Sequence, residues 1–172
     1  MPRIAPLELE LAPPAVQDAA DEHVRRHARI TNMKRTLLHS LPAFGALMEW
    51  YSLREAVQPF LGERLTTLYA HAISAGTDCL ICSTYFRRAL IEAGEDPDRL
   101  ALDSRENAVV EFGRRLAASP YGVPDDVYEK LETWFDPPQI VALTAFGALM
   151  VATNLFNNAL EVPLDEYLQP YR

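Results

Sequence analysis

Nowhere in this chain of 172 residues does apolar character alternate with a period of two over a sustained stretch, and no Asn-Gly or Asp-Gly pair offers a hairpin turn. Glycine is scarce, at seven residues, and apolar positions such as Phe44, Leu47, Met48 and Tyr51 recur at helical spacing. These features predict an all-α, compact multi-helix fold. Proline, glycine and capping residues divide it into helices over 13–28, 32–39, 42–51, 63–75, 78–93, 103–119, 124–135 and 137–160. Gly76 marks a stop, Asp78 reads as the N-cap of the helix that follows, and Asp103-Ser104-Arg105-Glu106 has the capping-box pattern. Residues 1–172 make a single domain, with 1–12 as an extended N-terminal arm.

The final helix is the most apolar part of the chain. Its run over 140–155 is shorter than the ~20 residues that span a bilayer and contains Thr144, Thr153 and Asn154. It is therefore expected to be a long buried core helix or an oligomer contact, not a membrane segment. A net charge of −8 argues against nucleic acid or an anionic membrane as partner. The basic run over 23–35 reads as a solvated helix face or an oligomer contact. No apolar segment of signal-peptide type opens the chain, so a cytoplasmic location is expected.

The only two cysteines, Cys79 and Cys82, are three apart at the start of a predicted helix. Such a pair can cycle between dithiol and disulfide, and N–H groups at a helix start favour a thiolate. In an unsecreted chain the pair is expected to rest reduced. Two other readings stand beside this one. Free cysteines are often inert core residues. A structural zinc site needs four ligands, and the only histidines, His23, His27, His39 and His71, all lie upstream. No metal and no cofactor is expected.

From about Asn32 to Leu164 the chain resembles the alkylhydroperoxidase D-like and carboxymuconolactone decarboxylase superfamily, in its Cys-x-x-Cys peroxidase-related branch. The resemblance rests on the ordered segments 32–42, 63–75 leading into Cys79-x-x-Cys82, Ala93-Gly94, 103–106 with its helix, and 154–163. It implies an oligomer (dimer, trimer or hexamer) and a thiol-dependent peroxidase. In that pattern Cys82 attacks a small hydroperoxide, Cys79 resolves the sulfenic acid as a disulfide, and an external thiol or dithiol reductant restores the pair.

The family pattern also carries a Glu twelve residues before the first cysteine and a His four after the second. Here those positions are Thr67 and Phe86. Glu63, Thr67 and His71 share one helix face by their spacing, so His71, oriented by Glu63 or by water, is the candidate substitute relay. Tyr69, Tyr85, Asn154, Asn157 and Asn158 receive no role. Two rivals remain: a non-catalytic or redox-sensing member of the fold, and a decarboxylase of a small lactone acid.

Overall fold

The structure, a computed structural model, describes residues 1–118 and 122–172. Eight helices run in order: α1 (Pro14–His27), α2 (Asn32–Leu37), α3 (Leu41–Met48), α4 (Trp50–Gly76), α5 (Leu80–Glu92), α6 (Ser104–Ala118), α7 (Asp125–Glu132) and α8 (Pro137–Leu160). Short 3-10 turns at Leu9–Leu11 and Glu166–Tyr171 flank them, and no strand occurs among the described residues. The expected end of the sixth helix at 119 lies outside the described residues.

The middle of the molecule is α4, which packs against α5, α6 and α8. Its Tyr69 is fully buried and donates its hydroxyl to the Leu143 carbonyl at 3.1 Å. Room for that ring comes from two glycines on neighbouring helices. A Cβ on Gly113 would lie 2.9 Å from the Tyr69 ring, and one on Gly147 would collide with its hydroxyl. Aromatic burial here therefore depends on two absent side chains as much as on apolar ones.

Helix α4 departs from expectation at its start. A helix was expected to begin at 63, yet residues 50–61 are helical too, despite Pro59. Burial of Val57 and Leu61 against the main core outweighs the hydrogen bond that Pro59 forfeits. Gly62, at φ 78 and ψ 167, then interrupts the helix, and the Thr66 hydroxyl donates to its carbonyl at 2.7 Å. The expected 42–51 helix is correspondingly divided at Glu49 between α3 and α4.

Helix α8 starts at a capping box between Asp136 and Gln139. It buries one face through Leu143, Phe146, Met150 and Asn157, while Val141 (69% exposed) and Leu155 (57% exposed) face outward. A second apolar cluster joins α1, α2 and α3 through Ala20, Leu37, Leu38 and Phe44. The arm runs back along the domain, with the Arg3 N–H on the Leu160 carbonyl and the Leu7 N–H on the Arg35 carbonyl. The C-terminal segment closes over α2, where the Asn32 N–H donates to Asp165 Oδ1 at 2.9 Å.

Candidate active site

The link between α4 and α5 delivers both cysteines. Gly76 lets α6 approach, since a Cβ there would sit 2.8 Å from Ala117 Cβ. Asp78 then takes a left-handed conformation (φ 52), unusual for a residue with a side chain. It is not the N-cap that the sequence predicted. Cys79 occupies the N-cap, with no side-chain cap hydrogen bond, and its N–H returns to the Ser74 carbonyl at 3.1 Å.

Three asparagines of α8, spaced so that they share a face, hold this link in place. Asn154 Nδ2 donates to Thr77 Oγ1 at 2.8 Å, and Asn158 Nδ2 to the Thr77 carbonyl at 2.8 Å. Asn157 Nδ2 lies 3.3 Å from Cys82 Sγ, 3.7 Å from Cys79 Sγ and 3.4 Å from Met33 Sδ. These residues carried no role in the sequence reading. Their burial at 154 and 157, and hence their purpose, comes from the α4–α8 packing.

Both cysteines are free thiols. Cys79 is fully buried, whereas Cys82 retains 7% exposure and opens onto a cavity. The two thiols are held at unequal pKa values. The Cys82 thiol donates to Cys79, and the backbone N–H groups of Cys82 and Ile81 with the Asn157 amide add to that donation. Together they outweigh burial and bring the Cys79 pKa down to about 7. Cys82 is pushed up, first because it supplies that hydrogen bond and then by burial. The lower pKa therefore belongs to the inner sulfur, Cys79, and the higher to Cys82, which faces the cavity.

The cavity, about 110 Å³, lies among α2, α3, α4, α5, α8 and the C-terminal segment. Met33, Met48, Trp50, Phe86 and Met150 give it an apolar wall around Cys82, and the half-exposed Tyr85 also lines it. The Trp50 indole N–H donates to Met150 Sδ at 2.8 Å. Phe86, at the position where the family pattern has histidine, contributes a hydrophobic surface and no base. Two charged residues interrupt the apolar lining: Lys34, only 7% exposed, and Asp165. Neither was singled out from the sequence, because burial of a lysine in a six-residue helix leaves no periodic signal.

The expected relay residues lie elsewhere. Glu63 is held by Arg54 at 2.5 Å and by the Gln58 amide, so it does not orient His71. Thr67 donates to the Glu63 carbonyl at 2.9 Å. His71 is half-buried where Arg87, Asp98 and Arg114 act on it, and burial above all lowers its pKa. Neither Glu63 nor His71 lines the cavity or hydrogen-bonds a sulfur. Tyr69 belongs to the core. Among the described residues no group of three His, Cys, Asp or Glu side chains is placed to hold a metal.

Neither a protein-family model nor a curated protein sequence matches the chain. Solved structures do. The apo debrominase Bmp8 superposes at a TM-score of 0.78 with 15% identity, over 98% of this chain and 95% of that one. An alkylhydroperoxidase AhpD core protein from Ralstonia eutropha JMP134, described as peroxidase-related, gives 0.76 with 18% identity over 97% and 94%. The fold is AhpD-like. A peroxidase-related protein from Silicibacter sp. TM1040 shares it at 0.70 with 15% identity, over 98% and 96%. At these identities the AhpD-like likeness speaks for architecture, and the chemistry must be argued from the residues present.

Proposed function

We propose that this protein is a thiol-dependent oxidoreductase that reduces a small, largely apolar hydroperoxide at Cys82, with Cys79 as base and resolving thiol. One observation carries the reading: Cys82 faces an apolar cavity while Cys79, the thiol of lowered pKa, is buried beside it within the same asparagine's reach. The inner thiolate supplies the base that Thr67 and Phe86 cannot.

As the Cys82 sulfur attacks the terminal peroxide oxygen, its proton passes to Cys79 and the O–O bond breaks. The alkoxide takes that proton from Cys79 and leaves as the alcohol, so Cys82 is a sulfenic acid and Cys79 a thiolate again. Attack of Cys79 on the Cys82 sulfur forms the disulfide and expels hydroxide, which is protonated by solvent. Two equivalents of an external thiol, or one dithiol, reduce the disulfide by exchange and are themselves oxidised. A cytoplasmic, homo-oligomeric setting belongs to the same proposal.

Cumene hydroperoxide, added in stoichiometric amount to the reduced protein, should consume two thiols per chain. Thiols that persist, in a protein that still binds small ligands, would refute the peroxidase reading and favour a redox-inactive member of the fold. Reductive dehalogenation is a second reading, supported by the aromatic and thioether lining and by a cysteine-to-alanine form of Bmp8 in complex with 2,3,4-tribromopyrrole (TM-score 0.80, 13% identity). Halide release from a bromopyrrole, without thiol loss to peroxide, would select it.

A further inference from the structure

The cavity beside Cys82 has a polar end that the thiol chemistry does not use. Lys34 sits on α2, whose first turn is capped by Thr31, and its ammonium is buried. Nζ donates to the Arg29 carbonyl at 3.0 Å and to Tyr51 Oη at 2.9 Å. An ammonium has three N–H groups, and the third finds no acceptor among the described residues. Asp165 lines the same cavity. Its Oδ1 accepts from the Asn32 N–H, while Oδ2 is buried with no partner. The two residues influence each other through space without forming an ion pair among the described contacts.

A buried ammonium with one N–H to spare and a buried carboxylate oxygen with no partner, both lining one small apolar cavity, are costly unless something satisfies them. We infer that this end of the cavity binds the neutral hydroxyl of a small apolar molecule of the phenol class, its oxygen accepting from Lys34 and its O–H donating to Asp165. The rest of the ring would then lie against Trp50, Phe86 and the methionines, towards Cys82. A hydroxyl meets both demands at once. A carboxylate could accept from Lys34 but would set like charge against Asp165, and a hydrocarbon would leave both groups unpaired. This inference rests on the cavity being the substrate site and adds that a hydroperoxide reduced there carries a phenol-type hydroxyl at its end away from Cys82.

Calorimetric titration of the reduced protein with phenol, toluene and benzoate tests it, alongside Lys34→Met and Asp165→Asn, with circular dichroism to establish folding. Phenol should bind wild type at least tenfold more tightly than toluene or benzoate. In either folded variant that preference over toluene should collapse to within about threefold, with toluene binding retained. Equal affinities in wild type, no binding of any of the three, or a preference that survives in both variants would overturn the inference. If Lys34→Met does not fold, Asp165→Asn decides alone, because it keeps Oδ1 and the bond from Asn32. Thiol loss to cumene hydroperoxide, measured on the same samples, reports separately on the peroxidase reading.

Discussion

A single side-chain amide of α8, Asn157, contacts both sulfurs at the start of α5. Its Nδ2 faces both thiols while its Oδ1 is buried without a partner. Replacement Asn157→Leu removes the donor to the thiolate and the orphaned acceptor together. The melting temperature should therefore hold or rise, while the Cys79 pKa moves up from about 7 by about one unit. Alkylation of Cys82 by iodoacetamide at pH 7, for which Cys79 serves as base, should slow several-fold, and its pH midpoint should shift in the alkaline direction. Lys34 makes a similar trade. Burial brings its pKa down to about 8 from the ordinary lysine value of 10.5, so between those values the unfolded chain binds more protons than the folded one. Stability should rise with pH across that window, by about 1–3 kcal/mol relative to Lys34→Met, which lacks the titration. Urea midpoints of the two proteins at pH 7.5 and pH 10 measure it.

At the scale of elements, the α4–α5 link is held in a conformation its own sequence does not prefer. Asp78 sits at φ 52, and Asn154 and Asn158 fix Thr77 on its other side. Glycine reaches that backbone region without strain, so Asp78→Gly should stabilise the fold by about 0.5–1 kcal/mol in chemical denaturation. Thiol reactivity should be unchanged, because the carboxylate is not a cap of α5. The capping box of Asp103 with Glu106, the stop at Gly94 after α5 (φ 84) and most helix starts were legible in the sequence. These signals are local and involve residues three or four apart. Helix 50–61 was not legible, because Pro59 argued against it and only its burial argued for it.

For the whole molecule, the packing of α4 between α6 and α8 sets the limit on change. The Tyr69 ring and hydroxyl fill the space that Gly113 and Gly147 leave. Gly147→Ala should cost on the order of 2 kcal/mol or more, even though alanine is the better helix former, because the added methyl meets Tyr69 and Leu116 at once. Thermal unfolding of the variant would show the loss, and Gly45→Ala in α3, where nothing lies within 4 Å, serves as the contrasting control.

Residue order alone determined most of the helices, the capping box of α6 and the presence of a dithiol, because each depends on neighbours a few positions apart. Which sulfur carries charge, which reaches solvent, and which polar groups surround them depended on helices brought together from opposite ends of the chain. Asn157 lies 75 residues from Cys82, and Asp165 lies 133 from Asn32. Spacing could put Glu63 and His71 on one face but not turn that face towards the thiols. Burial decided that, and burial is a property of the packed molecule.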